Sequence, residues 1–492
     1  MRGSNGESFP AARTCPGPRG RRPRTLLVMA VAVLAAVGVA GCQGHASSPA
    51  AARSAAQAAA SGAVQPAAPG GAAQPAAPSG TPLSALAWSA GRAPLPADTD
   101  GVSGQYVVLD DVSCPAVGHC VAVGIDRAST GSGDVYQGLA ETLAGGTWSP
   151  AAIPDVSSPN LPLSLSAVSC PAQGSCVAVG FAESSAKVGV PVMERLSAGR
   201  WDPVTPPRPG DASTSGGDLL TDISCPAVNW CVAVGWYLNA GGHHAVYADT
   251  LADGTWTAAS VPLPPDAAPE QGTDRAVTYL TAVSCTGIGA CVASGQYRGT
   301  SGGSLPFTAT LSNGTWTAAA APLPGDAAAT SQFAGLWALK CPAPGTCVAG
   351  GHYLNHSGQA RYLIDTLSGG TWTASAAPLP PGAAADQKWS QDQATVIGGL
   401  GCASASLCVA TADYLTTDNE IVPVIETLSG GTWTAASVPL PADAAPASGQ
   451  GSYAYLMLAT CPAPASCLTV GSYPAQDGTI AGLVETAAPK SS

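Results

Sequence analysis

Residues 220–264 show short apolar runs separated by polar and glycine-containing turns. They read LTDISCPAVNWCVAVGWY, then a polar loop, then AVYADTLADGTWTAASVPLP. An Asp-Gly pair, which is a hairpin signal, precedes the last run. Apolar runs of four to eight residues with turn signals between them predict an antiparallel sheet. The four predicted strands are 219–225, 231–237, 245–251 and 255–261.

The same order returns along the chain, marked by pairs of cysteines six residues apart. Successive leading cysteines lie 55 to 61 residues apart, and a Trp follows the leading cysteine by 31 residues in five copies. In the seventh copy that distance reaches Ser492, where the chain stops. A period of this kind is typical of repeat folds. The pairs are Cys114–Cys120, Cys170–Cys176, Cys225–Cys231, Cys285–Cys291, Cys341–Cys347, Cys402–Cys408 and Cys461–Cys467.

The strand missing from the seventh copy has a counterpart at the other end of the chain. Residues 86–98 read LAWSAGRAPLPAD and match GTWTAASVPLPAD at 431–443. The sequence therefore predicts an all-β, seven-bladed β-propeller of four-stranded antiparallel blades, closed by an N-terminal strand bearing Trp88. The first strand of each repeat should line the axis. The Trp strands, each followed by prolines, should form the rim, since proline suits edge strands.

The seven cysteine pairs predict one disulfide per blade, which joins the first strand to the second. An oxidising compartment favours such bonds, and export of the chain would supply one. The alternative is half of a zinc site, but no His or second Cys pair stands at ligand spacing in each copy. We expect no metal and no cofactor.

The N-terminal segment predicts export. Four arginines within residues 19–24 precede an apolar run at 26–39, which ends in Val39-Ala40-Gly41-Cys42. This ending resembles the lipobox of bacterial lipoproteins, and the resemblance implies cleavage before Cys42 and lipidation of Cys42. An ordinary signal peptide is the alternative. The predicted domains are a lipoprotein signal peptide at 1–41, a disordered Ala/Pro/Gly/Ser-rich tether at 42–80 and the propeller at 81–492.

Charge narrows the class of partner. Only 10% of the residues are charged and the net charge is −12; without residues 1–41, 13 basic and 30 acidic residues leave −17. Nucleic acid is therefore excluded as an electrostatic partner. The expected contacts are the membrane, through lipid on Cys42, and a protein, peptide or glycan ligand. We expect a monomer on the extracytoplasmic side of the cell membrane.

The Gly-Thr-Trp turns resemble a shortened Asp-box, the motif of sialidase-type propellers. The turns are Asp253-Gly254-Thr255-Trp256, Asn313-Gly314-Thr315-Trp316 and Gly370-Thr371-Trp372. Sialidases also need an arginine triad and a Tyr–Glu pair. The predicted axial strands contain no Arg, and Lys340 is their only basic residue. The resemblance therefore implies the fold without sialidase catalysis.

Features present in nearly every copy are interpreted as serving the blade. A carboxylate stands seven residues before the Trp position, with Ala309 as the exception, and we expect it to make turn or cross-strand hydrogen bonds. A glycine stands four residues after the second cysteine, where a bulge or close backbone approach would require it. Asp266, Asp326 and Asp443 precede Ala-rich stretches and are interpreted as helix N-caps. The carboxylates are Glu141, Glu194, Asp249, Asp365, Glu426 and Glu485.

Function should then lie in the departures from the repeat. Asp110, Asp111 and Asp222 stand near axial strands, where they could act as an acid and base pair or as solvated carboxylates. Trp236 and Trp337 could stack on a ligand or pack in the core. His243 and His352 lie at loops between second and third strands. The predicted ligand-binding residues are Asp111, Asp222, Trp236, His243, Trp337 and His352, and no catalytic residue is assigned.

These observations favour a membrane-anchored, non-catalytic binding or scaffolding protein with its ligand on the variable loop face. The alternative is a carbohydrate-active enzyme, a glycoside hydrolase or lyase, that uses carboxylates at the channel mouth. The two hypotheses differ in geometry. An enzyme should have two or more carboxyl groups that converge in one deep pocket, one of them with a raised pKa. A binding protein should have a broad, shallow face with aromatic residues and without such a pair.

Overall fold

The computed structural model contains 28 strands and, in the ranges that it describes, no helix. No helix that could cross a membrane therefore occurs in those ranges. The predicted signal peptide, tether and Cys42 lie outside them. The described residues are 86–96, 105–130, 133–153, 162–184, 189–214, 216–269, 278–330, 332–384, 387, 396–418, 420–446, 453–464 and 466–489.

The strands form seven four-stranded antiparallel sheets, which are the blades. Blade 1 contains β2 (Val107–Ala116), β3 (His119–Thr130), β4 (Gly133–Ala144) and β5 (Thr147–Ile153). Blade 2 contains β6 (Leu163–Ala172), β7 (Ser175–Glu183), β8 (Gly189–Ser197) and β9 (Arg200–Val204). Blade 3 contains β10 (Leu219–Ala227), β11 (Trp230–Leu238), β12 (His244–Ala252) and β13 (Thr255–Ser260). Blade 4 contains β14 (Tyr279–Gly287), β15 (Ala290–Arg298), β16 (Ser304–Ser312) and β17 (Thr315–Ala320).

The remaining three blades follow the same order. Blade 5 contains β18 (Gly335–Ala343), β19 (Thr346–Leu354), β20 (Ala360–Ser368) and β21 (Thr371–Ala376). Blade 6 contains β22 (Ile397–Ser404), β23 (Leu407–Leu415), β24 (Ile421–Ser429) and β25 (Thr432–Ser437). Blade 7 contains β26 (Tyr455–Ala463), β27 (Ser466–Pro474), β28 (Ile480–Pro489) and β1 (Leu86–Arg92).

Blade 7 confirms the predicted closure of the ring. Strand β1 pairs antiparallel with β28, from Leu86 opposite Pro489 to Arg92 opposite Leu483. Trp88 and its neighbours Leu86 and Ala90 pack against the apolar cluster of this blade. The first strands of successive blades contact one another around the axis, and β26 of blade 7 contacts β2 of blade 1. The two ends of the chain therefore meet in one sheet.

The seven predicted disulfides are present, one in each blade. Each bond joins the first and second strands near the turn between them, and Cys285 lies directly opposite Cys291. The observed turn between the first two strands is shorter than the five residues predicted at 226–230. Ala227 pairs with Trp230, so the turn is a two-residue hairpin at Val228-Asn229.

Every first strand contains a β-bulge, and the recurrent glycine explains its position. In blade 4 the register shifts between Leu280 and Ala282, so Thr281 is the additional residue. A Cβ atom at Gly295 would overlap the carbonyl oxygen of Tyr279. Glycine is therefore required where the bulged strand approaches its neighbour. The equivalent glycines that approach a first strand equally closely are Gly124, Gly180, Gly235, Gly351 and Gly471.

The hydrophobic core lies between the blades. Each of the seven apolar clusters combines residues from two neighbouring blades. In the cluster between blades 2 and 3, Val179 and Met193 pack against Ala233 and Tyr247. Because this burial connects neighbours only, the ring gains full burial on both faces of every blade only when it is closed.

The recurrent carboxylates serve the blades differently from the prediction. Asp249 lies opposite Ala233 and Ala258, and Ala233 belongs to the interface between blades 2 and 3. Five of the six carboxyl groups have both oxygens buried and receive no hydrogen bond from a described residue, so the predicted hydrogen bonds are wrong for them. Burial raises the pKa of each to about 8. These five are Glu141, Asp249, Asp365, Glu426 and Glu485.

The predicted helix N-caps are also wrong. Residues 265–266 form a turn, and the carboxylate of Asp266 accepts a hydrogen bond from the hydroxyl of Tyr297 at 2.9 Å. Tyr353 donates in the same way to Asp326, and Tyr473 donates to Asp443. Each of these hydrogen bonds connects the loop that leads into a blade with the end of the second strand of that blade. The Ala-rich composition suggested helices, but a turn is formed here.

Candidate functional site

The bulged residues of the seven first strands form a ring around the axis, and six residue types occupy its seven positions. The register shift in each blade leaves the fourth residue before the leading cysteine without a partner in the ladder. All seven residues line one axial cavity of about 140 Å³. In the order of blades 1 to 7 these residues are Asp110, Ser166, Thr221, Thr281, Trp337, Gly398 and Met457.

The cavity has one polar side and one apolar side. Blades 1 to 4 contribute an aspartate and three hydroxyl residues, whereas blades 5 to 7 contribute Trp337, Gly398 and Met457. In a seven-membered ring, blade 5 lies across the axis from blade 1, so Trp337 is across the cavity from Asp110. Such a cavity suits a ligand that has a polar end and an apolar end.

Asp111 and Asp222 line the cavity, but their oxygens are engaged by the backbone. One oxygen of Asp111 accepts the N–H of Val112 and the other accepts the N–H of Val168 in the next blade, both at 2.6 Å. Asp222 accepts from Ile223 at 2.7 Å and from Val283 in the next blade at 2.6 Å. These two aspartates therefore join blade 1 to blade 2 and blade 3 to blade 4.

Burial dominates the titration of both groups despite these bonds. It raises the pKa of Asp222 to about 8 and that of Asp111 to about 6. The backbone hydrogen bonds and the charge of Lys340 lower both pKa values by smaller amounts. Lys340 is exposed and does not line the cavity itself. Two carboxyl groups fixed in this way suit a structural role better than proton transfer.

Asp110 differs from its neighbour. It is 5% exposed and lines the cavity, and neither of its oxygens receives a hydrogen bond from any described residue. Burial, and then the charge of Asp111, raise the pKa of Asp110 well above its usual range. A buried carboxyl group without a partner is costly, so this group needs either a proton or a ligand.

Aromatic side chains lie on two sides of the axis near the loop end of the first strands, and of the described ones Trp337 lines the cavity. On one side, the rings of Tyr279 and Trp337 lie 5.8 Å apart, and the indole N–H of Trp337 donates to Nδ1 of His352 at 3.1 Å. On the other side, Tyr106 and Tyr455 share a hydrogen bond. Tyr279 and Tyr455 each begin an axial strand, which places them at the end that the loops reach.

The structure brings together only some of the predicted ligand-binding residues. Asp111, Asp222 and Trp337 line the cavity, and His352 supports Trp337. Trp236 packs in the interface of blades 3 and 4 with its ring 5.3 Å from that of His244, and the backbone N–H of His243 donates to Asn239. Neither Trp236 nor His243 lines the cavity.

No group of three His, Cys, Asp or Glu side chains among the described residues has an arrangement that could hold a metal ion. In particular, His352 is buried in blade 5 and contacts Phe333, with ring centroids 5.1 Å apart. Burial lowers the pKa of His352 to about 3, so its ring is neutral. It serves as a hydrogen-bond acceptor that orients the indole of Trp337.

Comparison with known proteins gives structural neighbours only. No family model matches the chain, and no curated protein is similar to it in sequence. A protein of unknown function from Dyadobacter fermentans has a TM-score of 0.41 at 12% identity, over 78% of this chain and 95% of the other. Trypanosoma rangeli sialidase has a TM-score of 0.35 at 10% identity, over 77% of this chain and 53% of the sialidase. The six-bladed fucose-recognising lectin of Aleuria aurantia has a TM-score of 0.33 at 12% identity, over 65% of this chain and 94% of the lectin.

At these similarities the neighbours' ligands give no information about the ligand of this chain. The fold is a seven-bladed propeller, and its seven disulfides are consistent with an extracytoplasmic location.

Proposed function

We propose that the chain is an extracytoplasmic, lipid-anchored, non-catalytic binding protein that takes a small ligand, or the end of a peptide or glycan, into its axial cavity. The observation that carries the proposal is the ring of bulged residues. A scaffold that repeats its cysteines and glycines in most blades has six residue types at the seven positions where its first strands meet the axis. Variation at one ring of positions in a regular scaffold is typical of a ligand site.

The direction of β1 supports the proposed orientation. This strand starts at Leu86, opposite Pro489, at the end of blade 7 that carries the disulfide turn, and it ends at the loop face with Arg92. A tether from Cys42 would therefore enter the propeller on the disulfide-turn face, and the loop face would point away from the membrane. Mass spectrometry of the N-terminal peptide tests the anchor, because an unmodified Cys42 would exclude it.

The enzyme alternative meets its expected geometry, because Asp110, Asp111 and Asp222 line one cavity and burial raises the pKa of each. The hydrogen bonds of Asp111 and Asp222 nevertheless give it weaker support. A retaining or inverting glycoside hydrolase uses two carboxyl groups that are free to act as acid, base or nucleophile. Among the described residues that line the cavity, Asp111 and Asp222 are held by backbone N–H groups, and only Asp110 has unengaged oxygens. One free carboxyl group suits binding better than it suits hydrolysis.

The cavity is tested with the full chain carrying Cys42→Ser, which should be released to the medium. We expect this protein to retain small molecules from a cell-envelope extract, detected by mass spectrometry after denaturation. Trp337→Ala should reduce the retained amount at least tenfold, because it removes the aromatic wall of the cavity. Trp236→Ala is the matched control, since it removes an indole that packs outside the cavity.

Equal retention by the Trp337→Ala and Trp236→Ala proteins would contradict a ligand site on the axis. The far-UV circular dichroism spectrum of each variant checks that the blades are intact. Conversion of the retained molecule into a product on prolonged incubation would favour the enzyme.

A further inference from the structure

We propose that the group held in the axial cavity is an organic ammonium ion, with Asp110 as its counter-ion and Trp337 as its aromatic contact. This proposal rests on the proposed function, because it names the ligand class of the same site. Three features of the cavity carry it: its balance of charged groups, the unpartnered carboxyl group of Asp110, and the aromatic side chains near it.

The first feature is the balance of charged groups. Among the described residues, the side chains that line the cavity include three carboxyl groups and no Lys, Arg or His. Lys340 is the basic side chain that acts on Asp111 and Asp222, and it is exposed. A cation inside the cavity would stabilise the ionised form of these carboxyl groups, whereas an anion would oppose their ionisation further.

The second feature is the carboxyl group of Asp110. It is 5% exposed and has no hydrogen-bond partner among the described residues, although it lines open space. The equivalent Thr221 and Thr281 place their hydroxyls 2.6 to 3.1 Å from carbonyl oxygens of their own blade and the next. The hydroxyls of both threonines therefore have hydrogen-bond partners in the scaffold, whereas the carboxyl group of Asp110 has none among the described residues. A cationic ligand would supply the missing partner.

The third feature is the arrangement of the aromatic rings. Trp337 lies across the axis from Asp110, and Tyr279 lies beside Trp337. On the other side, Tyr106 and Tyr455 lie close enough to Asp110 for its charge to raise the pKa of both tyrosines. Ammonium groups bind the faces of Trp and Tyr through cation–π attraction, which is stronger where water is excluded. A neutral sugar would also stack on these rings, but it would leave the charge balance unchanged.

The size of the cavity limits the ligand. A volume of about 140 Å³ admits a compact head group such as a methylated or primary ammonium on a short chain, but not an oligomer. The rest of a larger ligand would extend toward the loop face, past Tyr279 and Tyr455. Met457 and Gly398 would then contact the apolar part of the head group.

Binding of a cation should release a proton from the protein. Burial raises the pKa of Asp110 well above its usual range and so favours its protonated form in the free cavity, whereas an adjacent cation would favour its ionised form. The charge of Asp111 acts on Asp110, and the charge of Asp110 in turn acts on Tyr106 and Tyr455. Burial raises the pKa of both tyrosines above its usual range, so they stay neutral at pH 7.

The test uses two probes of nearly equal shape: choline, which carries a quaternary ammonium, and 3,3-dimethylbutan-1-ol, in which carbon replaces the nitrogen. Isothermal titration of the full chain carrying Cys42→Ser, in two buffers of different ionisation enthalpy, measures the affinity and the protons released. We expect choline to bind at least tenfold more tightly than the alcohol and to release close to one proton at pH 7. Ethanolamine, titrated in the same way, distinguishes primary from quaternary ammonium ligands.

Asp110→Asn should lower the affinity for choline at least tenfold and abolish the proton release. Asp413→Asn is the matched control, because Asp413 is a carboxyl group with one buried, unpaired oxygen that does not line the cavity. It should leave both quantities unchanged. If the Asp110→Asn chain does not fold, the affinities of the three probes for the unsubstituted cavity still test whether the site prefers an ammonium ion.

Equal binding of choline and the alcohol, or binding of neither ammonium probe, would overturn the ammonium proposal. The proposed function would survive that outcome if Trp337→Ala still abolished the retention of small molecules from the extract. If choline showed no preferential binding and Trp337→Ala also had no effect on retention, the axial site itself would be rejected.

Discussion

Replacing Trp88 with Ala is expected to lower the free energy of unfolding by about 3 kcal/mol, at the lower end of the range for buried tryptophans because Trp88 is half-buried. The substitution should also release the N-terminal strand. In the other blades a short turn connects the rim strand to the third strand, but β1 has no such turn and is held by pairing, by packing and by the ion pair of Arg92 with Asp443 at 3.1 Å. Its loss would leave β28 as an exposed edge.

Limited digestion with trypsin measures this release. Arg92 is the last residue of β1 and lies opposite Leu483, so its peptide bond is protected while the strand is paired. We expect Trp88→Ala to increase the rate of cleavage after Arg92 at least tenfold. Trp316→Ala is the matched control, since Trp316 lies in β17, which the Asn313-Gly314 turn connects to β16. An equal rate in both variants would contradict closure by β1.

Raising the pH from 6.5 to 8 is expected to destabilise the protein by several kcal/mol. Burial raises the pKa of the interface carboxyl groups to about 8 in the folded chain, whereas carboxyl groups in an unfolded chain ionise near pH 4. Between these values the folded state holds protons that the unfolded state has lost, so the unfolding free energy falls as pH rises. Each such group contributes about 1.4 kcal/mol per pH unit.

Histidine has a small effect over this interval. Burial lowers the pKa of His352 to about 3, and half of the unfolded imidazole is already neutral at its ordinary pKa near 6.5, so the remaining opposite contribution is about 0.4 kcal/mol. Differential scanning calorimetry at pH 6.5 and pH 8 therefore reports the carboxyl groups. A melting temperature that does not fall between these two pH values would contradict burial of the protonated carboxyl groups between the blades.

Blade 4 supplies a matched substitution, because Ala309 occupies the carboxylate position there and is fully buried. Asp249→Ala should reduce the loss of stability between pH 6.5 and pH 8 by about 2 kcal/mol, the contribution of one group over this interval. Asp418→Ala, which changes an exposed aspartate, should leave the loss unchanged. Equal losses in the wild type and the Asp249→Ala variant would show that Asp249 does not contribute.

The spacing of cysteines and tryptophans was sufficient to predict the blades. Because each repeat preserves its turns and strands in order, seven sheets, one disulfide in each and closure by β1 could all be derived from residue positions. The predicted disulfide turn was too long, because Ala227 and Trp230 extend the ladder beyond the cysteines. Propensity identified the apolar runs but not the residues at which pairing ends.

The axial site was predicted only in part, and the bulge explains why. One additional residue in a strand changes which side chains face a given side. Asp110 and Asp111 are adjacent in sequence, yet Asp111 binds backbone N–H groups of two blades while Asp110 has no partner among the described residues. The recurrent glycine of the second strand indicated a bulge. The residue of the first strand at which the bulge occurs depends on the packing of two blades.

The two candidate tryptophans, Trp236 and Trp337, lie in different places for a similar reason. Trp236 pairs within β11 and packs into an interface, whereas Trp337 is the bulged residue of β18 and lines the axis. Both depart from the repeat in sequence, so composition alone could not separate them. Counting four residues back from the leading cysteine would have identified Trp337, together with Asp110, Thr281 and Met457.

In the closed ring, β1 and β28 belong to one blade, and seven first-strand residues surround one axial cavity. An engineered cross-link tests this closure. Ala87 and Ala488 are exposed and lie opposite each other in β1 and β28. We predict that Ala87→Cys/Ala488→Cys forms an intramolecular disulfide in the monomer, detected by peptide mass spectrometry. The control Ala87→Cys/Ala436→Cys, which places the second cysteine on β25 of blade 6, should not. Absence of the engineered bond between β1 and β28, or its formation only between molecules, would contradict the closed ring.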